Sequence, residues 1–165
     1  MSVDERRDKK IKSVLLGTKI ATAVMMFFCV ASVIFGYYIC YYTWDIGVIG
    51  ENSLTGIAVG NVAFILYIII FYICICFAFL ILFGVWKLVS NLEAKEVFVR
   101  KNTKLLNVIT LGCLGIAIFC FLGGIVSLST VLISAVAVFM ALIVQCVKVL
   151  IDKAIDIKEE MDLTI

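Results

Sequence analysis

The residues with chemistry to offer are few and scattered. Asp45 and Glu51 are the only charges in the stretch "WDIGVIGENSLTG". Paired carboxylates can do acid–base work or hold a cation. These two stand six residues apart on a Gly-containing segment with no His, Lys or Arg beside them, so they read as solvated loop acids. The chain has no His. Its seven cysteines, at positions 29, 40, 74, 76, 113, 120 and 146, all lie in apolar stretches, where a free thiol behaves as a small hydrophobe. Metal sites usually draw on His, on acids or on CxxC spacing. Cys74 and Cys76 are two apart and point to different faces of a helix. Neither a metal nor a cofactor is expected. With no nucleophile beside a base and no phosphate-binding loop, the chain is not expected to be an enzyme. "NSL" lacks the hydroxyl residue two places after Asn52 that glycosylation requires.

Two further polar residues, Asn61 and Gln145, fall inside apolar runs. Either can form an interhelical hydrogen bond worth about 1 kcal/mol in lipid. A contact to a substrate is the sharper reading of the same residues. No ionisable group falls at mid-membrane depth, so proton or sodium relays, which need one there, have no candidate.

The elements that must carry these residues follow from charge segregation. The 165 residues are 64% hydrophobic and 16% charged, against roughly 45–50% and 25% in soluble domains. No charged residue occurs from 20 to 44, 52 to 86 or 105 to 147. Uncharged apolar runs of this length read as membrane spans. The basic start is followed by too long an apolar run for a signal peptide, so the first run is read as a retained span. Crossing a ~30 Å core takes about 20 residues. The third run is therefore expected to be a hairpin turning at "GGIVSLST"; one long tilted helix, giving three spans in all, is the alternative. The expected architecture is all-α, an integral membrane four-helix bundle with spans at about 20–43, 58–86, 105–126 and 130–151. It forms a single membrane domain with an inner loop at 87–104 and a tail at 152–165. Small residues four apart (Ser32/Gly36/Cys40, Gly56/Gly60, Gly123/Ser127, Ala137/Ala141) allow close helix approach.

Every one of the 14 Lys and Arg falls in the N-terminal segment, the 87–104 loop or the C-terminal end. All of the 12 acids except Asp45 and Glu51 are there too. Basic loops stay on the cytoplasmic side, so both termini are expected inside (N-in/C-in), in a multi-pass protein. Tyr37, Tyr38, Tyr41, Tyr42 and Trp44 mark the outer interface and Trp86 the inner one. Lys19, Lys87 and Lys148 are placed to snorkel.

The inner loop, "KLVSNLEAKEVFVRKNTKLLN", mixes charges around Val97, Phe98 and Val99; Asn102 or Thr103 is expected to cap the third helix. The tail, "IDKAIDIKEEMDLTI", continues a rough helical stripe. It carries five acids (Asp152, Asp156, Glu159, Glu160, Asp162) against Lys153 and Lys158. Anionic lipid repels such a tail. It is expected to project, or to fold against the basic loop.

Two of these segments, "E-A-K-E-x-F-x-x-x-N-x-x-x-L" (Glu93 to Leu106) and "E-E-x-D-L-T-I" (Glu159 to Ile165), together with four spans, resemble a bacterial family of small membrane proteins, domain of unknown function 2975. The chain departs from its pattern at Glu96-Val97, where Pro- or Gly-like residues are expected. The resemblance carries no activity or cofactor. It implies residence in a bacterial cytoplasmic membrane. Genes of the family often lie beside one for a small helix-turn-helix repressor of the Cro/C1 type, which implies such a protein as partner. Docking would fall to Phe98 and Asn102 in the loop and to Glu160, Asp162, Leu163, Thr164 and Ile165 in the tail, with no direct nucleic-acid binding by this chain. The function expected is a regulatory or interaction partner in the lipid bilayer. The alternative is a transport, channel or immunity-type component, as a homo-oligomer, that recognises an apolar or peptide agent.

Overall fold

The computed structural model describes residues 3–49, 61–94, 99–124 and 128–162, with side chains described within 10–43, 64–94, 99–124 and 130–161. Four helices make up almost all of this: α1 (Val3–Ile49), α2 (Asn61–Glu93), α3 (Arg100–Gly123) and α4 (Leu128–Asp162). Each is long and apolar enough to cross a membrane. The 105–147 run is two helices. They part after Gly123, where the Gly124 amide donates to the Phe121 carbonyl at 3.0 Å and closes the last turn.

The helices outrun the spans expected of them. α1 has 47 residues, or about 70 Å at 1.5 Å each, against a ~30 Å core. The basic N-terminal segment is thus helical from Val3, and the connection expected at 44–57 begins only after Ile49. The inner loop expected at 87–104 shrinks likewise, because α2 continues to Glu93 and α3 starts at Arg100. The reason is visible in the chain: no Gly or Pro interrupts residues 86–106, and Leu88, Val89, Leu105 and Leu106 keep a helical face apolar. Asn102 and Thr103 do not cap α3. The N-cap is Val99, in an extended conformation and without a side-chain bond. The Thr103 hydroxyl instead donates to the Arg100 carbonyl at 2.8 Å.

Among the described residues, helix backbones come close only in chain order, α1 to α2, α2 to α3 and α3 to α4. The bundle is a row, with α3 the most enclosed span. Its seams are lined by small residues. Thr22, Gly36 and Cys40 of α1 are buried, whereas Phe27, Ile34 and Tyr38 are exposed. Gly112, Ala117, Cys120 and Gly123 of α3 are buried, whereas Leu111, Ile118 and Phe121 are exposed. Ser134 and Ala141 take the same role on α4. Lipid tails are as apolar as Leu, so large side chains gain no solvation free energy by turning inward and only packing can draw them there. Tight backbone approach and interhelical hydrogen bonds hold the helices instead. The buried Ser134 hydroxyl donates to the Ala117 carbonyl at 2.8 Å across the α3–α4 seam. At the other end of the row, the Tyr72 hydroxyl donates to the Val33 carbonyl of α1 at 3.3 Å.

Large side chains of one helix fill the glycine gaps of the next. Ile81 packs on Gly112, Phe77 on Gly115 and Ile109 on Gly84. A methyl group added at Gly112 would lie 2.7 Å from Ile81 Cγ1, far inside van der Waals contact. Gly112→Ala is expected to destabilise the protein by about 1–3 kcal/mol, in the range of overpacked cores. Gly17, which faces open space, should accept Ala with no loss. Thermal unfolding of the two variants in detergent checks this; equal melting temperatures would remove the glycine seam as the organiser of α2 and α3.

Candidate functional site

The described parts of both motifs read from the sequence come together at the basic end of the row, the end that holds the N-terminal part of α1, the end of α2, the start of α3 and the end of α4. From the first motif, Glu93 closes α2 and its carboxylate pairs with the Lys19 ammonium of α1. Lys19 also stands 5.9 Å from the Trp86 ring centre, a cation–π arrangement. Asn102 is only 1% exposed, and its Oδ1 accepts a bond from the Asn91 amide at 2.8 Å. It therefore fastens the end of α2 to the start of α3 and is not available as a contact surface.

From the second motif, Glu159 on α4 meets Arg100, the first residue of α3. The guanidinium donates through Nε at 3.2 Å and through Nη2 at 2.8 Å to the two carboxylate oxygens. This is the bidentate fork that suits Arg to carboxylates. Asp156 stands 3.7 Å from the same guanidinium. The described part of the tail is thus a helix that continues α4 alongside the start of α3, with Ile155 buried beneath it. Side chains of Arg100 and Glu159 are 68% and 53% exposed, so water competes for the pair. Its contribution is that of a surface ion pair, about 0–1 kcal/mol.

Of the other residues singled out, Glu160 is exposed on the same helix. Asp162 is the last residue of α4, and its side chain lies outside the described residues. So do Phe98, Leu163, Thr164 and Ile165. Asn61 opens α2, and its side chain and Glu51 are likewise not described. Asp45 is helical, within α1, and its side chain too lies outside the described set. Gln145 is described: it faces a groove of about 310 Å³ between α3 and α4, with Asn107, Thr110, Leu111, Leu114, Val138 and Leu142. Sequence reasoning missed Asn91, Lys19 and Arg100 as partners. The signal for Asn91 was a second carboxamide set close before the motif, and for Arg100 the only Arg between the two motifs' acids.

With both motifs joined at one end of the bundle, the match to known families becomes interpretable. Residues 19–165 match the family described as "Protein of unknown function (DUF2975)". The chain belongs to that family. No curated protein and no solved structure matches it. The family match begins at Lys19 and runs to Ile165, so it takes in every residue of the Lys19–Glu93, Asn91–Asn102 and Arg100–Glu159 contacts.

The buried amide pair and the exposed ion pair should differ in weight. Removing the Asn102 carboxamide leaves a part-buried Asn91 amide without that acceptor, a loss of about 1–3 kcal/mol. Arg100→Ala should cost less than about 1 kcal/mol. Thermal unfolding of Asn102→Ala and Arg100→Ala in the same detergent checks the order; a larger loss for Arg100→Ala would mean that the tail contact, not the amide pair, holds this end together.

Proposed function

We propose that this protein is a membrane-embedded interaction partner that docks a small cytosolic helix-turn-helix regulator, with both termini cytoplasmic, and acts by binding and not by catalysis. The observation that carries the reading is the contact of Arg100 with Glu159 and Asp156. It sets the tail helix beside the start of α3, so that these two segments offer one surface instead of two. On it, Lys101 and Lys153 are exposed together with Asp156, Glu159 and Glu160. A surface of mixed sign selects a partner by charge pattern and fixes its register more than it adds affinity. The tail acids would face the basic DNA-contacting side of the regulator, and the regulator would be held away from its operator. Asn102 serves this surface by positioning α3. Phe98, Asp162, Leu163, Thr164 and Ile165 would supply the contacts at its rim.

The groove beside Gln145 supports a second reading, recognition of an apolar or peptide agent. On α3 it runs from Asn107 to Leu114, about 10 Å of depth at 1.5 Å per residue. That is a third of a ~30 Å core, so the groove favours capture within one leaflet over passage across the membrane.

The docking reading is tested by affinity purification from native membranes. The intact chain is compared with one lacking residues 159–165 and with Arg100→Glu, after equal insertion of all three is confirmed. The expected result is a DNA-binding regulator recovered with the intact chain and reduced at least tenfold in both variants. Recovery of the same proteins by all three, or of no regulator by any, would end the docking reading.

A further inference from the structure

The groove between α3 and α4 is graded in polarity along its depth. At its mouth the Lys148 ammonium donates to Asn107 Oδ1 at 3.1 Å and forms no ion pair among the described residues, which pair only Lys19 and Arg100 with acids. Lys104, exposed and likewise without such a pair, lies on the same face of α3 as Asn107 and Leu111, at spacings of three and four. The acids nearest this mouth are on α4, Asp152 one turn beyond Lys148 and Asp156 two turns beyond; Asp156 already faces Arg100.

Three residues deeper than Lys148, or about 4.5 Å, Gln145 is exposed and makes no hydrogen bond among the described residues. Deeper still the walls are Leu111, Leu114, Val138, Ala141 and Leu142. Buried Ala141, with its short side chain, makes the room. The volume, about 310 Å³, lies within the range of small-ligand sites.

Reading outward to inward, this is cation, hydrogen-bond donor, then hydrocarbon wall. A carboxamide facing lipid without a partner is unfavourable. An ammonium at the membrane surface without a carboxylate attracts anionic headgroups. We propose that the groove binds one anionic glycerophospholipid. Its phosphodiester meets Lys148 and Lys104, an ester carbonyl accepts from Gln145, and one acyl chain lies along Leu111, Leu114, Val138 and Leu142. The depth order of phosphate, ester and chain in such a lipid is the order of these residues in the groove. The inference does not depend on the docking reading, since the groove opens sideways to lipid, below the surface formed by loop and tail.

The test is native mass spectrometry of the delipidated full chain. It is titrated with phosphatidylglycerol or phosphatidylethanolamine of the same acyl composition. The expected result is one saturable phosphatidylglycerol adduct, at least fivefold preferred over phosphatidylethanolamine. Lys104→Ala/Lys148→Ala should abolish that preference and Lys104→Arg/Lys148→Arg should keep it. Gln145→Leu should weaken both lipids several-fold without changing their ratio. Leu114→Trp, which fills the exposed deep end, should displace the adduct while the melting temperature holds. Equal, unsaturable uptake of both lipids by every variant would overturn the proposal in favour of a general lipid annulus. A delipidated dimer that dissociates when Gln145→Leu is introduced would overturn it in favour of a second copy covering the groove.

Discussion

Close approach of helix backbones is the constraint on which the rest of this structure depends. A soluble bundle is held by expelling water from apolar side chains. In lipid that force between helices is missing, and association rests on packing and on a few hydrogen bonds. The chain answers by turning most of its large residues outward, lining the seams with small ones and seating a few large side chains in the gaps they leave. Gly84, Gly112 and Gly115 are the sharpest instances, because Ile109, Ile81 and Phe77 occupy the space where their side chains would be. The two middle helices hold the row together: they share the glycine seam, α3 adds the Ser134–Ala117 hydrogen bond toward α4, and α2 adds the Tyr72–Val33 hydrogen bond toward α1.

That same packing sets the polar end. Gly84 of α2 lies against Ile109 of α3. Seven residues, two turns, further along each helix in antiparallel register stand Asn91 and Asn102, and these are the pair that bonds. In the opposite direction the same register brings Gly112 to Ile81 and Cys120 to within 3.7 Å of Cys74. The carboxamide pair is therefore not a local accident of the loop. A slip of one turn along the glycine seam would carry Asn102 about 5 Å from Asn91 and deprive the buried Asn102 carboxamide of that partner, which costs more than the bond is worth when made. Packing and polar satisfaction select the same register.

Much of this was legible in the sequence, for reasons that show where legibility stops. Four spans followed from charge segregation and from the length of a bilayer, because both are one-dimensional properties of the chain. The fold of the tail against the loop was one of two expectations that charge allowed, and opposite signs separated by some 59 residues became Arg100 and Glu159 in contact. What failed was local. The onset of charge marks the end of a span and not of a helix, because charged residues extend a helix into water as readily as apolar ones when no Gly or Pro intervenes. A carboxamide at position 102 predicts a cap, because carboxamides favour that position; its partner, Asn91, belongs to another helix, and tertiary pairing overrides the local preference. The order of helices in space, a row, has no signature in any single span.

The basic end of the row therefore combines contacts of two strengths, and the difference bears on what this end can do. Asn102 is enclosed and holds part-buried Asn91, so the geometry of the pair is fixed whenever α2 and α3 are packed. Arg100, Asp156 and Glu159 are exposed to water and salt, which weakens their attraction. A binding partner of suitable charge competes with such pairs on nearly equal terms. It can exchange Arg100 for one of its own cations on Glu159 without disturbing the helices below. The surface is held rigid where it joins the membrane domain and left adjustable where a partner would meet it. That division follows directly from burial: the same residue types, placed one or two turns deeper, would have been too costly to separate.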